Sequence, residues 1–144
     1  MRCPKGYYKH EIRRLDGNGS LVRRAFLYFP VGFDELSEEL RGSICNGIGA
    51  ASGISKYVPN TIWGLDVTLA GDGHDYDYYL GGTRKERRIA DRVFYHNLRA
   101  FIWVEGGILR IPRKFRAKAY HKALRLGGWA HFNFNGKAIR LQEH

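Results

Sequence analysis

Residues 64–82 read GLDVTLAGDGHDYDYYLGG. The stretch holds four aspartates (Asp66, Asp72, Asp75, Asp77), one histidine (His74) and three tyrosines but no Lys or Arg, in a chain of net charge +10. Acid gathered beside a single imidazole in a basic chain points to a site for a cation. A helix over residues 65–79 is expected despite Gly71 and Gly73, each of which costs about 1 kcal/mol relative to Ala. Close packing of a neighbouring backbone is the expected reason for keeping them. On such a helix Asp66, Ala70, His74 and Tyr78 recur at i, i+4 along one stripe, and Asp75 lies one residue round from His74. Asp66 reads as a structural acid near the helix start, and Asp72 and Asp77 as solvated.

Towards the C-terminus, Gly81-Gly82 stops this helix, and Thr83 with Glu86 forms a capping box for the next. That helix, over residues 84–104, carries Ala90, Val93, Phe94, Asn97, Leu98 and Phe101 at helical spacing. Asp91 falls beside its apolar face, where a carboxylate needs a hydrogen-bonding partner or a cation. After Gly106-Gly107, Pro112 suits the first position of a third helix over residues 113–126. Its charges are all basic (Arg113, Lys114, Arg116, Lys118, Lys122, Arg125), against an expected apolar side of Phe115, Ala119, Leu124 and Leu126. So purely basic a face reads as a contact surface for phosphates, with nucleic acid a possible partner. The last stretch, WAHFNFNGKAIRL, reads as a closing hairpin turned at Asn135-Gly136.

Towards the N-terminus, residues 43–60, SICNGIGAASGISKYVPN, lack helical or strand periodicity. Gly47, Gly49 and Gly53 let the backbone there bend and turn its carbonyls or amides to a ligand. Asp34 is placed to cap a short helix over residues 34–40 that Gly42 ends, with Phe33, Leu36 and Leu40 as its buried side. Residues 5–30 read as a hairpin, YYKHEIRRL and LVRRAFLYF joined through Asp16-Gly17-Asn18-Gly19.

At 144 residues with 44% hydrophobic and 14% aromatic residues, the chain suits one folded domain and excludes disorder. The organisation expected is a hairpin and short helix over residues 1–43, a core over 44–102, and a basic helix with closing hairpin over 103–144. Only Cys3 and Cys45 are available, which excludes a multiply disulfide-bonded secreted scaffold. His10, His96, His121, His131 and His144 show no zinc-ligand spacing. The basic N-terminal residues are interrupted by no apolar run, so no signal peptide is expected. No stretch reaches the roughly 20 apolar residues of a membrane span. The location expected is the cytoplasm or the interior of a virion. The charge itself attracts polyanions, whether nucleic acid or an anionic lipid surface.

Taken in order, Cys45-Asn46-Gly47-Ile48-Gly49, Lys56-Tyr57-Val58-Pro59, Gly64-Leu65-Asp66, Ala70, His74-Asp75-x-x-Tyr78 and Ala90-Asp91-x-x-Phe94 resemble the phospholipase A2 superfamily. The resemblance is to disulfide-free members, such as those in parvovirus capsids, and to bacterial or phage relatives, and it covers residues 44–102. It implies a mainly helical α+β fold in which two long antiparallel helices carry the site. It implies that carbonyls of Cys45, Gly47 and Gly49 join the Asp75 carboxylate around Ca²⁺. His74 is implied as the general base that takes a proton from the attacking water, and Asp91 as its hydrogen-bonding partner. Tyr78 belongs to the same network, and the Gly47 amide stabilises the developing oxyanion. The implied reaction is hydrolysis of the sn-2 ester of a glycerophospholipid at a membrane surface. Gly73 and Asp77 stand where secreted members have cysteines, so apolar packing has to hold the helices together. The alternative is a basic binding or packaging protein of phage or prophage type that keeps this fold without activity.

Overall fold

The computed structural model describes residues 1–46 and 60–136. Among them the fold is α+β and mainly helical. Strands β1 (Tyr7–Leu15) and β2 (Leu21–Pro30) pair antiparallel from Tyr7↔Pro30, with a register irregularity at Arg14/Leu15. Asp16 Oδ1 closes the connecting turn by accepting from the Asn18 and Ser20 amides at 2.8 and 2.9 Å, and Gly19 supplies a φ of 80°. Alternation along β2 is imperfect because its last four residues, Leu27 to Pro30, are all buried while its start is largely exposed.

The short helix expected over residues 34–40 lies elsewhere. Phe33–Glu35 is one 3-10 turn, and helix α1 spans Glu38–Asn46, with Ser37 Oγ accepting from the Leu40 amide at 3.1 Å. Helix α1 runs through Gly42. Burial of Ile44 and Cys45 against Phe33, Tyr76 and Leu80 outweighs the cost of about 1 kcal/mol for one helical glycine. Phe33 is buried as expected, but Leu40 is exposed.

Residues 65 and 66 are strand, not helix. β3 (Thr61–Ile62) and β4 (Leu65–Asp66) form a two-residue ladder turned at Trp63 and Gly64, both with positive φ. Helix α2 (Thr68–Leu80) starts after it, so Asp66 leaves the expected stripe. Its carboxylate instead accepts from the Thr68 amide at 2.9 Å and hydroxyl at 2.6 Å, next to the helix start.

Helix α3 (Arg84–Glu105) opens on the expected capping box. Thr83 Oγ1 accepts from the Glu86 amide at 3.2 Å, and Glu86 accepts from the Thr83 amide at 2.6 Å. Gly81-Gly82 joins α2 to α3, and the C-terminal tail packs so close to this link that a Cβ on Gly81 would lie 1.7 Å from the Asn133 carbonyl oxygen. The two helices run antiparallel, which brings His74 against Asp91 and Phe94. Helix α4 (Arg110–Gly127) packs on α3, its Ala117 and Leu124 joining Ala70, Ala90, Phe94 and Leu98 in one apolar cluster.

The buried face of α4 differs from the expected one. Arg113, Ala117 and Leu124 are buried, whereas Phe115 is 71% and Leu126 82% exposed. The helix begins three residues before Arg113, with Pro112 in its first turn. Where the closing hairpin was expected, Gly128–Ala130 is a 3-10 turn and residues 131–136 continue in turns. The tail is held by Asn133, whose amide donates to the Tyr78 carbonyl at 3.2 Å and whose carbonyl accepts from Gly82 at 2.9 Å. The second half of that hairpin lies outside the described residues.

Two polar or steric fits dock the hairpin on the helices. Asn97, on the apolar face of α3, accepts from the Tyr28 amide at 2.8 Å and donates to the Tyr28 carbonyl at 2.9 Å. A side-chain amide thus continues the hydrogen bonding of β2, and neither buried backbone group is left unpaired. Gly73 answers the question its position raised: a Cβ there would lie 2.6 Å from the Phe29 ring, so a neighbouring side chain, not a backbone, needs the space. No helix among the described residues is long and apolar enough to cross a membrane.

Candidate active site

The centre of the molecule is a buried carboxylate. Asp91 is 0% exposed, and α3 presents it to α2 on one side and to the end of α4 on the other. Its Oδ1 lies 3.0 Å from His74 Nε2 and accepts from the Tyr78 hydroxyl at 2.5 Å. Its Oδ2 accepts from Arg125 Nη1 at 2.6 Å, and Arg87 Nη1 stands 3.9 Å away. Burial alone would raise this carboxyl. The bonds from His74, Tyr78 and Arg125 outweigh it and hold the group below the usual carboxylate range, so Asp91 stays ionised. Tyr78, buried beside that charge, is shifted well upward and stays a neutral donor.

The same contacts orient the imidazole. His74 lies one turn before Tyr78 on α2, and its ring sits 4.2 Å from the Tyr78 ring and 4.8 Å from that of Phe94, centroid to centroid. Nε2 faces a carboxylate and so acts as the donor, which in the neutral imidazole leaves the lone pair on Nδ1. Nδ1 is buried and has no hydrogen-bond partner among the described residues. An imidazole nitrogen with a free lone pair can accept a proton.

Arg125 and Arg87 close the far side. Arg87 donates to the carbonyls of Leu124 and Arg125 at 3.2 and 3.4 Å, satisfying the end of α4, while Arg125 returns to Asp91. Arg113 is likewise turned inward, donating to the Ile62 and Trp63 carbonyls at 3.2 and 2.8 Å. Of the six cations assigned to a phosphate-contacting face, Arg113 is therefore buried, and Arg125, 30% exposed, is turned towards Asp91. Lys114, Arg116, Lys118 and Lys122 remain exposed.

A second cluster flanks His74 on α2. Cys45 Sγ and one carboxylate oxygen each from Asp72 and Asp75 lie within 4.8 Å of one another. Asp72 is not solvated as expected: it is half-buried, is paired with Arg41 at 3.3 Å, and its carbonyl accepts from the Cys45 thiol at 3.6 Å. Asp77 is buried too, accepting from the Tyr7 hydroxyl at 2.6 Å. Burial pushes the Asp75 carboxyl up to about 7, with His74 opposing and Asp72 adding to the shift. Burial, with Asp72 and Asp75 next, raises the Cys45 thiol to about 12. A thiol kept protonated is a poor metal ligand, whereas two carboxylates with one guanidinium between them are short of positive charge. The two carboxylates therefore suit a hard cation held by oxygen atoms better than a soft one held by sulfur.

Among the residues expected to act, His74, Asp91 and Tyr78 are brought together, and Asp75 and Cys45 meet beside them. Gly47 and Gly49 lie outside the described residues, as do residues 56–59. Arg125 was missed as a partner of Asp91. Its signal was positional: Arg113, Ala117, Tyr120 and Leu124 recur at i, i+4, i+7 and i+11, a buried stripe that Arg125 directly adjoins.

No family model matches the chain, and no curated protein or solved structure matches it either.

Proposed function

We propose that this chain is a calcium-dependent hydrolase of phospholipase A2 type that cleaves a carboxylic ester of glycerophospholipids. The observation that carries the reading is the His74–Asp91–Tyr78 network: a buried imidazole with Nε2 anchored on an ionised carboxylate and Nδ1 unpartnered. In this reading a water donates to Nδ1, and the proton it loses on attack moves to that atom. Asp91 then stabilises the imidazolium without taking the proton itself. Tyr78 and Arg125 hold the carboxylate so that its second oxygen cannot swing to compete for the ring.

Asp75 and the carbonyl of Cys45, with those of Gly47 and Gly49, would hold Ca²⁺. When bound, the ion supplies positive charge to the ester oxygen that becomes negative during attack. The half-buried Asp75 carboxyl, raised to about 7, supports a cation there because it has no ion pair among the described residues.

What supports a membrane contact is the outer face of α4. Ile111, Phe115, Lys118, Lys122 and Leu126 share one exposed side at i, i+4, i+7, i+11 and i+15, and Ile108, just before the helix, is 91% exposed. Bulky apolar residues among lysines suit insertion at an anionic lipid surface better than a phosphate backbone alone, which needs only the charge. The His74 side chain is 0% exposed. Hydrolysis therefore requires that lipid contact admits ester and water to Nδ1, and dispersed soluble esters are poor substrates.

The test is fatty-acid release from mixed phosphatidylcholine and phosphatidylglycerol vesicles, with calcium and with chelator. Release that needs calcium and disappears in His74→Ala supports the proposal. Equal release with chelator, or an active His74→Ala variant, overturns it. Vesicle binding without any release would favour the inactive, packaging alternative.

A further inference from the structure

On the far side of Asp91 from His74, the first turn of α3 and the end of α4 enclose a cavity of about 370 Å³ lined by Arg84, Arg87, Arg88, Arg125, Trp129 and Phe134. Four arginines line it and, among the described residues, no carboxylate does. Asp91, behind the wall, pairs with Arg125 at 2.6 Å and reaches Arg87 at 3.9 Å. Among the described residues the four arginines thus outnumber the one carboxylate behind them, which leaves a surplus of positive charge at the cavity. Arg84 and Arg88 are exposed and make no hydrogen bond or ion pair among the described residues. Trp129 is 62% and Phe134 42% exposed, large apolar surfaces placed beside the arginines.

We infer that this cavity is a binding site for a phosphate monoester whose organic part is apolar or planar. Guanidinium forks match phosphate oxygens two at a time, and the surplus of positive charge favours a dianion over a single carboxylate. The volume admits one small ligand rather than a polymer. Trp129 and Phe134 supply a wall against which an aryl or acyl portion can lie. The site does not depend on whether His74 hydrolyses esters. It does adjoin the dyad, because Arg125 lines the cavity and also bonds Asp91; with five N–H donors, one guanidinium can serve both. A bound phosphate is therefore sensed at His74 through the Arg125–Asp91–His74 chain. Diffuse counterions on the Lys114 to Lys122 face would not be.

The experiment is titration of the full chain with inorganic phosphate and with phenyl phosphate at fixed ionic strength. Affinity is read by calorimetry, and the His74 ring is followed by NMR. Expected are one saturable site, tighter binding of phenyl phosphate, and His74 signals that move with the same midpoint. Arg84→Ala/Arg88→Ala should weaken binding at least about tenfold, as loss of charge-assisted bonds does, while Lys114→Ala/Lys118→Ala should not. If the first double variant loses its thermal transition, Arg88→Gln alone makes the same comparison. Unsaturable binding, still His74 signals, or equal loss in the two double variants overturns the proposal. Vesicles of phosphatidylcholine with and without phosphatidic acid separate the sources of the ester. Weaker binding of the Arg84/Arg88 variant to the acid-containing vesicles assigns a lipid headgroup, and unchanged vesicle binding with lost phenyl phosphate binding assigns a soluble ester.

Discussion

His74 Nε2 stands 3.0 Å from Asp91 Oδ1 across the α2–α3 interface, and both side chains are 0% exposed. A carboxylate so placed is tolerable only because Tyr78 and Arg125 complete its bonds. Asp91→Ala would leave an imidazole, a hydroxyl and a guanidinium facing an apolar gap. It is expected to cost about 3–5 kcal/mol, the usual penalty for breaking a buried pair. Urea unfolding measures it. A loss below about 1 kcal/mol would show that solvent reaches the network.

Tyr78→Phe removes one donor and keeps the ring that packs against Phe132 at 5.1 Å. A hydrogen bond to a charged group contributes about 1.5–3 kcal/mol, so stability should drop by that order. Vesicle hydrolysis should fall without vanishing, since His74 keeps its partner. If activity disappears while stability holds, Tyr78 acts in the reaction itself.

Asn97 offers a sharper test of how the hairpin is docked. Asn97→Leu keeps the volume but strands the buried Tyr28 amide and carbonyl, each of which costs about 1–3 kcal/mol when unpaired. Hydrogen exchange at the Tyr28 amide should accelerate well beyond that at the turn of the hairpin, where Asp16 still closes the loop. Equal acceleration throughout would mean that the hairpin leaves as a unit.

Gly73→Ala places a methyl 2.6 Å from the Phe29 ring and should destabilise by about 1–3 kcal/mol, the range of overpacked cores. Phe29→Leu in the same chain relieves the collision and should return part of the loss. Additive losses in the double variant would show that Phe29 is not what Gly73 accommodates.

Local sequence chemistry was most legible where a pattern is self-contained. The Thr83/Glu86 capping box, the Asp16 turn and the 22-residue periodicity of α3 need no distant partner to be recognised. His74, Asp91 and Tyr78 were legible because helical spacing places His74 and Tyr78 on one face and Asp91 on the apolar side of the next helix. What failed depended on tertiary contacts. Phe115 and Leu126 read as core by hydrophobicity, yet α4 is seated by Arg113, whose head finds the Ile62 and Trp63 carbonyls that an apolar residue could not satisfy. Gly42 read as a helix stop, but burial of Ile44 and Cys45 carried α1 through it. Asp77 read as solvated, but Tyr7 returns across the fold and its hydroxyl donates to the buried carboxylate.

The cation site is testable through protons. Burial raises the Asp75 carboxyl to about 7 in the folded chain, with His74 opposing and Asp72 adding, while the unfolded chain titrates near the ordinary value of about 4. Between those values the folded state holds a proton that the unfolded state has released. Stability of the calcium-free protein therefore falls as pH rises from about 4 to about 7 and is level beyond. Calcium needs the carboxylate, so binding must displace that proton. Affinity should rise by up to about tenfold per pH unit below 7 and then flatten. Calorimetry in buffers of different ionisation enthalpy should count close to one proton released per ion at about pH 6 and almost none at about pH 8.5. Asp75→Asn should abolish the release together with the binding, while Asp72→Asn, which removes a charge that adds to the Asp75 shift, should weaken binding and lower the proton count at about pH 6 without abolishing it. Calcium binding in the native protein with no proton release at about pH 6 would place the ion elsewhere than on Asp75.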